Sequence, residues 1–114
     1  MANDTKFWDT FSRSIIMKVH TLAPAKVLEL NGDKTEAQVQ PLFLTKDNDG
    51  NMLRQPSVPA IVLKHCRDDI KVDDVVFIIA AERSLDNFEG TNEFIDPDDV
   101  RTHALQDSVI VGVY

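Results

Sequence analysis

Two apolar runs separated by a long polar loop constrain this chain more than any other feature. Val75-Val76-Phe77-Ile78-Ile79-Ala80-Ala81 passes directly into Glu82-Arg83-Ser84-Leu85-Asp86-Asn87-Phe88. An acidic stretch follows, then Arg101-Thr102-His103-Ala104-Leu105-Gln106-Asp107, and then the run Ser108-Val109-Ile110-Val111-Gly112. Both runs read as buried strands. The loop between them is rich in charge and holds no complete catalytic motif. The combination points to a small β-barrel whose loops make contacts rather than chemistry.

At 114 residues the chain fits one domain, enough to bury roughly two thirds of its unfolded surface in a single core. Its 43% hydrophobic and 27% charged residues are ordinary for a folded domain. Twelve basic residues face 19 acidic ones, a net charge of -7. Such a surface repels phosphate backbones, and no Lys/Arg cluster offsets it, so nucleic acid is not an expected partner. The single Cys66 excludes an internal disulfide and fits assembly in a reducing cytoplasm. No apolar run approaches the roughly 20 residues that span a bilayer, so direct membrane insertion is not expected. The start, Met1-Ala2-Asn3-Asp4-Thr5-Lys6, lacks the basic and apolar regions of a secretory signal.

Asn3 or Asp4 can cap a helix, and Phe7, Trp8, Phe11, Ile15 and Ile16 recur at helical spacing. An amphipathic helix is expected over about residues 5–19, packed either on the domain's own core or on a neighbouring subunit. Residues 1–20 thus form a helical arm and 21–114 the β domain. Ala25–Leu30 reads as a strand, Asn31-Gly32-Asp33-Lys34 as a tight turn, and Thr35–Leu44 as the returning strand. In that strand Ala37, Val39 and Pro41 share one face, Gln38, Gln40 and Leu42 the other, and Pro41 marks an edge or a bulge. Asp47-Asn48-Asp49-Gly50 is the next turn, Met52–Gln55 extends the hairpin, and Pro56 ends it. Val58–Leu63, Val75–Ala81 and Ser108–Tyr114 are further strands, and the polar segment Lys64–Asp69 interrupts them. Asp96-Pro97 signals a helix of one or two turns. Short strands at this spacing indicate an all-β barrel or sandwich.

Several residues invite chemistry. His20, His65 and His103 are scattered, and His65 and Cys66, if on a strand, point to opposite faces, so no four-ligand zinc site is expected. Asp47-Asn48-Asp49-Gly50-Asn51 superficially resembles a calcium loop, but its glycine comes two positions early and the closing position is Val58, so it reads as a hairpin turn. His103, Asp107 and Ser108 lie on one short segment without a Gly-x-Ser-x-Gly elbow, and read as loop hydrogen bonding rather than a triad. Asp96-Pro97-Asp98-Asp99 is either a solvated cap or a docking surface for a basic partner. Arg83 and Arg101 carry more weight. Each can tie loops together through bidentate carboxylate pairing, within the chain or across subunits.

Taken in order, these segments resemble a known family. The chain is similar to the N-terminal OB-fold domain of tailed-phage baseplate spike proteins, the membrane-puncturing trimers of contractile tails, and to the small domains of related tail-like bacteriocins and defective prophages. Leu22-Ala23-Pro24-Ala25-Lys26-Val27 resembles the start of the family's first strand, and Ala37-Gln38-Val39-Gln40-Pro41-Leu42 its second. Val58-Pro59 resembles the strand start after its variable hairpin. The most specific phrases are Glu82-Arg83-Ser84-Leu85-Asp86-Asn87-Phe88, closed by an aromatic, and Arg101-x-His103-x-Leu105-x-Asp107-Ser108 before the last strand. The resemblance covers about residues 14–113. Two departures stand out. Asp73-Asp74 occupies the place of a glycine before the long strand. The sequence also lacks the β-helical needle and the His-x-His motif with which many such tips hold iron, so puncturing does not carry over to these residues. They are either part of a longer protein or a separate hub or spike-base subunit.

The resemblance implies a mainly β fold, a small OB-like barrel of about five to six strands, with the N-terminal helix and one short helix before the last strand. It also implies a structural role: a homotrimer at the baseplate of a phage or tail-like particle, made in the bacterial cytoplasm and joined to hub, spike or tail-tube proteins. No catalytic residue, cofactor or metal is expected. Candidate interface residues are Phe7, Trp8, Phe11, Arg83, Asp86, Phe88, Arg101, His103 and Asp107, because large aromatics and arginines dominate interface energies. The rival readings are an OB-type module binding oligosaccharide or nucleic acid, and a small cell-wall hydrolase using His103.

Overall fold

The computed structural model describes residues 5–12, 21–97 and 100–114. Residues 5–12 are helical, and seven strands follow: β1 Leu22–Leu30, β2 Glu36–Pro41, β3 Leu44–Lys46, β4 Met52–Arg54, β5 Val58–Val62, β6 Val75–Ala80 and β7 Ser108–Val113. Five of them close into a barrel in the order β1-β2-β5-β7-β6, with β3 and β4 as a separate hairpin. Counting barrel strands alone, the order is 1-2-3-5-4 with one parallel pair, β5 with β7. This is an OB-like barrel.

Closure depends on β1. Its nine residues pair with β2 on one side and β6 on the other, and its register with β2 shifts between Val27 and Glu29. Such a bulge bends a strand and increases its twist, as a small barrel requires. Proline positions follow the ladder. The Leu42 N–H donates to the Pro24 carbonyl at 3.0 Å, and no return bond is possible from Pro24, so the β1–β2 ladder ends there. Pro41 lies opposite Ala25, beyond the last β2–β5 pair at Val39 and Val58, where no N–H is needed. Pro41 therefore divides the single strand expected over Thr35–Leu44 into β2 and β3.

The interior holds Ala25, Val27, Ala37, Val39, Val58, Ala60, Val62, Val76, Ile78 and Ile110, and Cys66 and Ile70 complete the cluster from the segment after β5. Alternation in β2 falls as the sequence implies, with Ala37, Val39 and Pro41 buried. The polar segment Lys64–Asp69 contributes to the core as well as interrupting the strands. A 3-10 turn over Lys64–Cys66 drops Cys66 inward while His65 stays exposed, its Nε2 3.1 Å from the Val111 carbonyl. His65 and Cys66 thus diverge on a turn, not on a strand. Burial, and then the nearby Asp69, pushes the Cys66 thiol up, which keeps it unreactive.

The turns use side-chain oxygens. Asn31 Oδ1 accepts from the N–H groups of Thr35 and Glu36, and Asp47 Oδ1 from those of Asp49 and Asn51. Both are local mimics of backbone turns. Asp47 is committed to its own hairpin, with Gly50 at φ 84° closing it. The helix expected at Asp96-Pro97 does not begin there, since Asp96 and Pro97 are non-helical; Asp98 and Asp99 lie outside the described residues. So do Asn3, Asp4, Ile15, Ile16 and His20. The short helix before the last strand is instead a 3-10 turn over Leu105–Asp107.

Asp73 adopts φ 74°, a left-handed conformation that glycine enters freely and most residues do not. Asp73 therefore stands at the one position of that turn where a glycine would suit the backbone. Asp73 also forms an exposed ion pair with Lys26 at 3.5 Å, which contributes little. Asp73→Gly is expected to preserve stability or raise it by up to about 0.5 kcal/mol, because relief of strain is partly offset by unfolded-state entropy. Chemical denaturation measures this, and a loss above about 1 kcal/mol would assign the Asp73 side chain a structural role of its own.

Candidate functional site

The loop between β6 and β7 is tied together from its two ends. The Ala81 N–H donates to the Asp107 carbonyl at 2.8 Å, and the His103 N–H donates to the Ala81 carbonyl at 3.1 Å. His103 sits at φ 49°, half-buried, where the chain reverses toward β7. The 3-10 turn over Leu105–Asp107 then turns the Asp107 side chain inward, and the Ser108 hydroxyl donates to the Leu105 carbonyl.

At the centre lies Arg101. Its Nε donates to Asp107 Oδ2 at 2.6 Å and its Nη2 to Asp107 Oδ1 at 2.8 Å, a two-pronged pair. Nη2 also donates to Asp86 Oδ1 at 2.9 Å. Asp107 Oδ1 accepts a further bond from the Leu85 N–H at 3.1 Å. The Gln106 amide oxygen, turned toward the guanidinium, accepts from Nη1 at 3.1 Å. The Asp107 side chain is 2% exposed and that of Arg101 19%, so this pair is largely withdrawn from water, whereas Asp86 is at the surface.

Electrostatics follow from that geometry. The Arg101 hydrogen bonds hold the Asp107 carboxyl below the usual carboxylate range; burial opposes this, and the Leu85 N–H adds to it. Asp107 and Asp86 in turn hold the Arg101 proton more firmly, so the guanidinium stays charged. Asp107 and Ser108 are thereby occupied by Arg101, the Leu85 N–H and the Leu105 carbonyl. The chemistry of the arrangement is to brace a loop.

Beside this network an open cleft of about 260 Å³ is lined by Glu36, Pro59, Ile61, Leu85, Phe88 and Gln106, among others. Phe88, which ends the run Glu82–Phe88, stands exposed at its rim. Arg83 lies exposed at the start of the loop. The structure therefore brings Asp86, Arg101 and Asp107 into one network, with Phe88 and His103 on the same loop. Phe7, Trp8 and Phe11 form a separate group on the N-terminal helix, with centroids 5.5–6.1 Å apart. These three rings are outside the core and largely exposed, Trp8 at 60%.

Sequence reasoning missed the Leu85 N–H and Gln106 as partners in the network. A backbone donor carries no residue signature, and Gln106 has the ordinary look of a surface glutamine. It also missed the outward side chains of β6, although the lack of alternation in Val75–Ala80 was a visible signal. Among the described residues, no group of three or more His, Cys, Asp or Glu side chains could hold a metal ion, and no helix is long and apolar enough to cross a membrane. No protein-family model matches the chain, and neither does any curated protein.

Proposed function

We propose that this protein is a non-catalytic structural subunit of a phage tail or tail-like injection machine, a trimeric spike-base or hub tip module at the baseplate. The observation that supports this reading best is the Arg101 network. The two phrases that most resemble the baseplate family, Glu82–Phe88 and Arg101–Ser108, are joined through Asp86, Arg101 and Asp107. A motif shared as two distant phrases is what a long loop braced at both ends requires. The OB-like strand order agrees with the same reading, although this barrel hosts many functions. On this reading the protein belongs to a virion or tail-like particle assembled in the bacterial cytoplasm, between hub, spike and tail-tube proteins.

The solution mass, measured by size-exclusion chromatography with light scattering over a wide concentration range, tests this. A stable trimer is expected, and a strict monomer at all concentrations would count against it. Trp8→Ala is expected to weaken the assembly while leaving the melting temperature of the barrel nearly unchanged, because the indole lies outside the core. An intact oligomer with a lower melting temperature would instead make Trp8 a folding residue.

A further inference from the structure

The outside of the barrel is divided by chemistry. Outward positions of β2 are Glu36, Gln38 and Gln40, whereas those of β6 are Val75, Phe77 and Ile79. Neighbouring strands widen the apolar side. Leu22 pairs opposite Ile79 and Pro24 opposite Phe77, and the Tyr114 ring meets Phe77 edge-on with centroids 6.4 Å apart. The face they form over β1, β6 and β7 is uncovered, with Leu22 55% and Tyr114 91% exposed. Closing a barrel buries only the inward side of each strand. An outer apolar face of a few hundred Å² is the scale at which exposed surface marks an interaction site.

The same chain carries a second uncovered apolar surface, the ring cluster of Phe7, Trp8 and Phe11. We propose that these two surfaces are the halves of one junction: the aromatic helix of one copy lies across the β1–β6–β7 face of the next. This rests on the assembled-subunit reading above and names the surface that assembles it. Two observations select a second copy as the occupant. The rings stand exposed rather than seated on the barrel of their own chain. Among the described residues the centre of the sheet face is free of charge, and Lys26 at its edge is paired with Asp73, so a chain of net charge -7 can meet its copy there without opposing like charges. A helix-to-sheet contact is heterologous, so each copy has two such junctions, and closure into a ring makes both count.

Trp8 is the only tryptophan, so its emission reports docking of this helix and nothing else. The experiment uses the full chain, Ile79→Lys on the sheet face, and Trp8→Ala on the helix. Each variant alone is expected to shift the midpoint concentration of assembly by roughly tenfold or more. Mixed one to one, they retain one intact junction: the Trp8 helix of the Ile79→Lys chain on the sheet face of the Trp8→Ala chain. The mixture is therefore expected to form a heterodimer with blue-shifted Trp8 emission, which neither variant alone gives. Tyr114→Ser, at an exposed side chain of the same face, serves in place of Ile79→Lys if the lysine impairs folding by circular dichroism. Wild-type assembly undisturbed by both sheet-face variants would overturn this surface and leave the assembled-subunit reading standing. Blue-shifted emission independent of concentration would mean that the helix covers its own barrel, and would overturn the second copy. A wild-type monomer with solvent-like emission throughout would overturn both readings.

Discussion

Asp107→Asn is expected to lower stability by about 2–3 kcal/mol, the cost of breaking a buried charged pair while leaving its partner in place. The substitution keeps shape and removes only charge and one acceptor. In the protein, Oδ2 accepts from Arg101 Nε, and Oδ1 accepts from Arg101 Nη2 and the Leu85 N–H. Either orientation of an asparagine amide turns its NH2 group against one of these donors. Arg101 would keep Asp86, which is exposed and holds it less firmly. The Arg101 bonds to residues 86 and 107 would no longer act together, so faster amide exchange across the loop is expected along with the loss of stability.

The same substitution carries a pH signature. The folded-state value of Asp107 is depressed, chiefly by Arg101. Its contribution is therefore complete above the unfolded carboxylate value of about 3.9 and is lost as pH falls through the lower folded value. An asparagine side chain does not titrate. The stability gap between wild type and Asp107→Asn should accordingly be widest near neutral pH and shrink in acid below about pH 4. Urea melts at several pH values measure it. A gap that stays constant into strong acid would show that charge on Asp107 contributes nothing.

Ile110→Ala is expected to cost more, roughly 3–4 kcal/mol, within the range for emptying a buried isoleucine site. Ile110 is fully buried, and β7 lies between β5 and β6 in the closed barrel, parallel to β5 and antiparallel to β6. At this residue it pairs with Val62 on one side and Ile78 on the other. The surrounding core is mostly valine and alanine on hydrogen-bonded strands, short side chains with little freedom to collapse into the vacated space. Since a domain of this size has only about 5–15 kcal/mol in total, the variant should melt far below wild type. Val111→Ala, on the neighbouring exposed position, is the control and should stay within about 0.5 kcal/mol. Near-equal losses at the two positions would mean that closure through β7 is not what holds the core.

Much of the barrel could be read from local pattern. Ala37, Val39 and Pro41 alternate with polar residues and are indeed the buried face of β2. Asp47 and Gly50 mark a hairpin turn, and they make one. The proline at position 41 marks an edge or a bulge, and its missing N–H falls where no bond is required, but the end of β2 at that residue was not legible in the strand pattern of Thr35–Leu44. Lys64–Asp69 was harder. Its polarity reads as an interruption of the core, yet Cys66 within it and Ile70 just after it join the buried cluster, Cys66 from a 3-10 turn that presents inward positions at a spacing unlike that of a strand.

The candidate site shows the same division. That Arg101 pairs with a carboxylate was legible, but not which one, nor whether across subunits, because several acidic residues lie within its reach along the chain. The strand run Val75–Ala80 shows it too: its composition says buried throughout, but barrel closure gives Val76, Ile78 and Ala80 an interior and leaves Val75 and Ile79 outside. Alternation, turn chemistry and proline placement are properties of a few neighbouring residues, so the order of amino acids alone was enough to place most of the strands and the all-β class, though not the start of β1 or the division of β2 from β3. The choice of Asp107 as the partner of Arg101, and of which side of β6 has a core to face, depends on contacts between distant segments. Those were fixed by the closed barrel, which brings the Leu85 N–H within 3.1 Å of Asp107 across 22 residues of chain.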